Sequence, residues 1–261
     1  MNRPNAIAGR RECREFTLSI GSVPLQLQFQ HEDLQSPLQN RYGAFQCAAG
    51  GARPIAMERK LRERAKDAEF QYDFEGTSLR ALRDEIRFEG VRTEYCVDAM
   101  LRIYLSWALL ELDGFLLHAA SVVRNGRAFV FTGRSGAGKS TLASLAPEGS
   151  VLTDEISLIR KEKGEWRAYG TPFWGEFRAA GQNVNAPVAG VFRLLQSPEN
   201  NVSPLRPPEL LRAMLPNVLF FSAESRHSAK LLEILTAAVR EIPGHCLGFK
   251  KDTSFWEVLP Q

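Results

Sequence analysis

Gly133, Arg134, Ser135, Gly136, Ala137, Gly138, Lys139, Ser140 and Thr141 follow one another with the full G-x-x-x-x-G-K-[ST] spacing. That spacing builds a cradle for the phosphates of a nucleoside triphosphate. Its glycines let backbone N–H groups turn inward on phosphate oxygens. Lys139 supplies a cation that reaches the β- and γ-phosphates, and the Ser140 hydroxyl is a ligand suited to Mg²⁺. The expected ligands are therefore ATP and magnesium.

A second set of residues offers proton chemistry. Asp154 and Glu155 close an apolar run, and Asp154 comes 15 positions after Lys139 (154 − 139). A hydroxyl is a poor nucleophile at neutral pH, and a carboxylate within hydrogen-bond reach can take its proton as phosphate is transferred. Asp154 is the favoured base, with Glu155 or Asp154 also available to the metal. On an ideal strand the two point to opposite faces. Arg134 and Arg178 compete to offset charge on the γ-phosphate, Glu176 is a weaker candidate, and Lys250 and Lys251 read as surface residues.

The elements that must position these groups are legible in part. Residues 128–132 form an apolar β-type run before the loop, and 139–146 form a helix-compatible run stopped by Pro147. Residues 115–123 and 127–132 flank Asn125-Gly126, a strong signal for a two-residue hairpin. Counting outward from that turn sets Arg124 opposite Arg127 and Val123 opposite Ala128. Continued without a bulge, His118 falls opposite Gly133, about 4.5–5.5 Å away between Cα atoms, at the mouth of the loop. If the run 151–155 is parallel to 128–132, Asp154 and Glu155 reach the same sheet edge.

Elsewhere, 16–20 and 25–29 alternate like half-buried strands around a turn at 21–24, and 57–69 is charge-rich and compatible with a short surface helix. Residues 94–112 have helical periodicity that Gly114 ends, with Tyr95, Tyr104 and Trp107 read as packing. Residues 157–160 and 166–169 form a hairpin around Gly164. Residues 170–176 are a shaped loop, 190–195 a strand, 207–214 and 229–240 helices, and 248–250 a last strand, before a packed segment at 255–259. These readings divide the chain into a β-rich region, 1–95, with no motif that carries chemistry, and a catalytic region, 96–261.

Composition bounds the rest. The 261 residues are 44% hydrophobic and 24% charged with a net charge of +3, an ordinary globular balance too near neutral to argue for nucleic acid. Arg3, Arg10 and Arg11 read as a solvated tail. Cys13, Cys47, Cys96 and Cys246 are scattered and read as buried free thiols. No segment has the length of uninterrupted apolar sequence that crosses a bilayer, and the start lacks a signal-peptide core. The expectation is a cytoplasmic protein that binds neither membrane nor nucleic acid.

Residues 117–123, then 131–141, then 152–155 together resemble the catalytic core of HPr kinase/phosphorylase. They are more similar to the shorter HPr-kinase-related proteins of bacterial peptide-modification clusters, as are 170–176 and the segment from Leu194-Leu195 to Pro204-Leu205. The resemblance covers about residues 95–261. It implies an α/β fold containing the P-loop, with the mixed sheet and flanking helices of the phosphoenolpyruvate carboxykinase nucleotide domain. It further implies ATP-dependent transfer to a hydroxyl, often serine, and a tendency to form homo-oligomers. Carried over, Lys139 binds the β- and γ-phosphates and Ser140 the magnesium. Asp154 and Glu155 supply base and metal contact, and His118 tunes or orients the acid. HPr kinase/phosphorylase has two aspartates where this chain has Asp154 and Glu155, and its glycine-rich signature is not visible here. Those departures argue against HPr as the substrate and against phosphorolysis.

The reading is an ATP- and Mg-dependent kinase acting on a hydroxyl, serine foremost, of a peptide or protein. The alternatives are a small-molecule kinase of the carboxykinase-like fold and a non-catalytic ATP-binding switch or scaffold.

Overall fold

The computed structural model describes residues 13–48, 50–61, 67–83, 85–147, 149–175 and 181–260. Its first sheet begins with a tight hairpin of β1 (Arg14–Ile20) and β2 (Val23–Phe29). Gly21 and Ser22 both take positive φ at the turn, the handedness that matches strand twist. After α1 (Gln35–Tyr42) come β3 (Arg53–Glu58), β4 (Phe70–Phe74), β5 (Thr77–Ala81) and β6 (Ile86–Glu89). The six strands lie in the order β1-β2-β3-β6-β5-β4. The helix expected at 57–69 is not what forms at its start: Met57 and Glu58 end β3, paired parallel to Phe88 and Glu89 of β6. Of the rest of that run, 62–66 lies outside the described residues, and Arg3, Arg10, Arg11, Glu176 and Arg178 do too.

Helix α2 (Glu94–Ala108) starts where the Thr93 side chain accepts the Cys96 N–H, a side-chain cap. Its apolar face, including Val97, Met100, Leu101, Tyr104 and Leu105, shares one core with Phe16, Leu27, Ile55 and Phe88 of the first sheet. That same core takes in Leu116, Ile156 and Leu158 from the second sheet, so α2 is the layer between the two. The helix tightens into a 3₁₀ turn at Leu109–Leu112, and Asp113 takes the left-handed conformation that ends it. Gly114, expected to be the stop, instead opens the next strand, where a Cβ would lie 2.8 Å from that of Arg160.

The second sheet is built from β7 (Gly114–Arg124), β8 (Arg127–Thr132), β9 (Val151–Thr153), β10 (Ile156–Glu162), β11 (Glu165–Tyr169), β12 (Asn185–Gln196), β13 (Asn201–Leu205), β14 (Val218–Leu219) and β15 (Gly244–Phe249). Its main path runs β11-β10-β7-β8-β12-β15-β13, with β9 and β14 also on β7. Strands β8, β12 and β15 are parallel, so the loops after all three leave at one edge. Period-two alternation sorts the side chains. Ala128 and Val130 pack under α5 (Ser225–Glu241) and α4 (Pro207–Met214). Phe129 and Phe131 pack on the opposite face with Phe192, Phe249 and Phe255. Phe255 belongs to α6 (Phe255–Val258), and α3 (Lys139–Ser144) adds Leu142 to that face. The hairpin register is the one counted from Asn125-Gly126, from Arg124 opposite Arg127 to Ala119 opposite Thr132.

All four cysteines are free thiols, but burial is not what keeps them so: Cys13 is exposed and Cys47, Cys96 and Cys246 are half-buried. Among the described residues, no helix is long and apolar enough to cross a membrane.

Charge ties α1 to α2 beneath this core. Asp98 is buried and its Oδ1 accepts from Arg41 Nε at 2.9 Å and from the Tyr42 hydroxyl at 3.2 Å. Its Oδ2 pairs with Arg102 at 2.8 Å. Exposed pairs such as Arg14–Glu32 contribute ~1 kcal/mol at most. Removing one partner of a buried pair costs about 3–5 kcal/mol, because a desolvated charge is left behind. Asp98→Ala is therefore expected to destabilise the fold by about that amount, read as a lowered midpoint in urea unfolding.

Candidate functional site

Residues 133–138 leave the end of β8 and return at Lys139, the first residue of α3. Gly136 has φ +77° and Gly138 φ +108°, a region L side chains rarely adopt. Gly138 also has Phe249 and Leu194 against the place a Cβ would take. The loop is braced by Gln196, whose side-chain amide donates to Gly136 O at 2.7 Å. Lys139 is buried and its Nζ donates to Gly133 O at 3.0 Å. Burial pulls its pKa down, and the Glu155 carboxylate works against that shift.

A cavity of about 540 Å³ opens over the loop. It is lined by Ser135, Gly136, Gly138, Lys139, Ser140 and Thr141 from the glycine-rich segment, and by His118 and Glu155 from across the sheet. Trp174, Gly175 and Lys251 complete the wall. Gly133, Arg134 and Ala137 do not line it, and Arg134 is exposed.

His118 reaches the cavity because of how β7 is shared. On one edge β7 pairs with β8 through Ala119 and with β14 through Leu117. His118 lies between these two pairings, and Thr132 Oγ1 donates to its carbonyl at 3.1 Å. On the other edge, Ser121 faces Thr153 of β9 and His118 faces Ile156 of β10. β9 thus runs in the same direction as β8 but with β7 between them, which brings its carboxyl end to the loop's edge. Asp154 and Glu155 interrupt the strand there, with Glu155 O accepting from Ala119 N at 3.1 Å.

The interruption changes where the two acids point. A Cβ on Gly175 would lie 2.7 Å from Asp154 Oδ2 and 3.1 Å from Glu155 Oε2, so both carboxylates converge on one backbone position. The opposite-face rule of an ideal strand does not hold at this bend. Glu155 lines the cavity, whereas Asp154 is buried and does not. His118 Nε2 is 3.5 Å from Glu155 Oε2. The hydrogen bond from His118 holds the Glu155 carboxyl below its usual pKa against the opposing effect of burial, and the charges of His118, Arg102 and Lys139 add to the lowering.

The 170–175 loop that carries Gly175 is pinned at several points. Buried Thr171 donates to Ile156 O at 2.6 Å, Phe173 is fully buried, and the Arg41 guanidinium lies 4.5 Å from the Trp174 ring. Four residues of this neighbourhood were not assigned to the site by the sequence. Lys251, read as surface, takes φ +69° in the turn after β15 and lines the cavity. Tyr95, read as packing, is 62% exposed and faces Arg41. Arg41 and Arg102 carried no local signal at all. The fold alone brings them to the loop.

Residues 93–261 match the family described as SynChlorMet cassette protein ScmC. The chain belongs to that family, and the matched span opens at the Thr93 cap of α2, beyond the six-stranded sheet. No curated protein matches the chain. Among solved structures it is weakly similar to the Hpr(Ser) kinase/phosphatase from Coxiella burnetii. The two are 14% identical over 48% of this chain and 89% of that one, with a TM-score of 0.24, a likeness too distant to carry an argument about the site.

Two outcomes test the geometry. Gly175→Ala places a methyl against a buried carboxylate that has little room to move, and is expected to cost on the order of 1–3 kcal/mol in urea unfolding. His118→Ala removes the main cause of the Glu155 shift, so the Glu155 midpoint should rise toward the ordinary carboxyl range in carbon-13 NMR titration. A carboxyl depressed in the folded state stabilises the fold above its unfolded pKa and loses that contribution as pH falls through the folded one. In the variant most of that contribution is absent, so its stability should fall less than the parent's as acid is added through the same pH range.

Proposed function

We propose that the protein transfers the γ-phosphate of ATP to a hydroxyl of a peptide or protein, serine foremost. The observation that carries the reading is that Lys139, Ser140 and Thr141 line one cavity together with His118 and Glu155. Phosphate-binding residue types and a paired carboxylate thus face the same space. The peptide class of acceptor rests on the sequence resemblance.

In this reading the backbone N–H groups and Lys139 hold the β- and γ-phosphates and offset the charge that develops on them. The donors near them are oxygens, the Ser140 hydroxyl and the Glu155 carboxylate, which suit Mg²⁺. Ser140 with Glu155 or Asp154 would hold that ion, which supplies charge neutralisation on the phosphates. The acceptor oxygen forms a bond to the γ-phosphorus as the bond from phosphorus to the β–γ bridging oxygen breaks, and ADP leaves. The acceptor proton passes to a carboxylate. Glu155 fits that role better than Asp154, because it lines the cavity while Asp154 lies buried beside it. The lowered pKa keeps Glu155 ionised at neutral pH, and His118 orients it.

The test is mass spectrometry of peptides encoded by reading frames beside the gene, incubated with ATP and Mg²⁺. One phosphate gained on a serine is the expected result. Lys139→Ala should lower transfer by roughly a hundred- to a thousandfold, about 3–4 kcal/mol of transition-state stabilisation. Glu155→Gln should retain ATP binding and lose on the order of 10²–10⁴ in rate. An equal loss confined to Asp154→Asn would return the base to Asp154. Parent-rate transfer by Lys139→Ala would sink the reading.

A further inference from the structure

A second cavity, of about 310 Å³, adjoins the first. Trp174 and Gly175 line both, and Arg41, Tyr95, Asp98 and Arg102 form the rest of its polar and aromatic wall. Arg41 comes from α1 and the others from α2 and the 170–175 loop, so the cavity lies where the first sheet's layer meets the second.

Among the described residues that line it, positive charge exceeds negative. Two guanidinium groups share the single Asp98 carboxylate, through Arg41 at 2.7 Å and Arg102 at 2.8 Å. Each guanidinium carries five N–H donors, far more than one carboxylate can accept. Arg102 Nε is buried and has no hydrogen-bond partner among the described residues. A buried donor left unmatched costs ~1–3 kcal/mol, which an incoming acceptor would recover. The aromatic groups fix the geometry. Arg41 lies 4.5 Å from the Trp174 ring and 5.7 Å from that of Tyr95, and Arg102 lies 5.1 Å from Phe173. Guanidinium forks held in this way match a carboxylate in shape and sign. Arg102 also lines a third cavity with His118 and Glu155, which puts this site beside the acid already assigned to the acceptor proton.

We propose that the second cavity binds an Asp or Glu side chain of the acceptor, within a few residues of the hydroxyl that is phosphorylated. The acceptor class is thereby narrowed from a hydroxyl-bearing peptide to an acidic one. The proposal rests on reading the first cavity as the phosphoryl-transfer site. Among the described lining residues of the second cavity, two guanidinium groups face one carboxylate, an excess that complements one incoming carboxylate, and the shared Trp174–Gly175 wall sets the two groups side by side.

The test uses the full chain with Mg²⁺ and a non-hydrolysable ATP analogue, and two pools of fluorescent, C-terminally amidated serine peptides. Flanking residues are Asp and Glu in one pool and Asn and Gln in the other. Fluorescence anisotropy is expected to show the acidic pool bound about tenfold more tightly or better, the scale of one charge-assisted hydrogen bond. Arg102→Gln should abolish that preference while nucleotide affinity stays as in the parent. This variant leaves Asp98 paired with Arg41, whereas Arg41→Gln puts the buried ion pair at risk. Arg102→Lys, which keeps the charge without the fork, should fall between. Equal binding of the two pools, binding of neither, or an undiminished preference in Arg102→Gln would overturn the proposal. The two readings fail separately: acidic preference without phosphate transfer removes the kinase, and transfer without preference removes the carboxylate site.

Discussion

Four strands draw on the two edges of β7, and an eleven-residue strand can serve four only by giving each a separate stretch. β8 takes Ala119 to Arg124 on one edge and β14 takes Leu116 and Leu117 beyond it. β10 and β9 divide the other edge in the same way. The hand-over on both edges falls at the same level. One gap leaves His118 between β8 and β14, and the other leaves Asp154 and Glu155 between β9 and β10. The glycine-rich loop departs at that level too. Backbone groups must be paired or solvated, so a ladder that changes partners opens where side chains and loops can enter. The site occupies that opening.

The second constraint is electrostatic. Asp98 sits in α2, the layer shared by both sheets, and holds Arg41 from one side and Arg102 from its own helix. Buried charge of this kind adds little net stability but penalises other arrangements. It fixes α1 against α2, and Arg41 in turn caps Trp174, whose neighbour Gly175 lies on both acids. Through the Arg41 guanidinium of α1 the N-terminal region thereby reaches the candidate site. A region with no chemical motif of its own contributes to the wall in which chemistry is proposed.

Membership of the ScmC family covers the part of the chain from α2 onward. The side chains that line the first cavity all fall in that part. Arg41, by contrast, lies outside it, in the sheet layer added before residue 93.

What the sequence by itself determined were features whose cause is local. Asn125-Gly126 takes positive φ because few other pairs tolerate it, and it set its hairpin register, while Gly164, also at positive φ, marked the turn of a second hairpin. The spacing from Gly133 to Ser140 needs no distant partner to be recognised, and the periodicity of α2 is carried within its own turns. Where the cause was non-local the sequence was silent or misleading. A charged run with no firm period was compatible with a helix at Met57, yet parallel pairing to β6 made its start a strand. Gly114 looked like a helix stop, but contact with Arg160 is what requires it. Asp154 and Glu155 were visible as a pair, but their convergence on Gly175 depends on a bend set by β7 and on a loop pinned through Thr171. Arg41, Arg102 and Lys251 have no motif, because a long charged side chain says nothing about its neighbours until packing brings them within reach. Only the tertiary structure could decide which charges share a cavity, since that depends on residues far apart in the chain being held within a few ångströms.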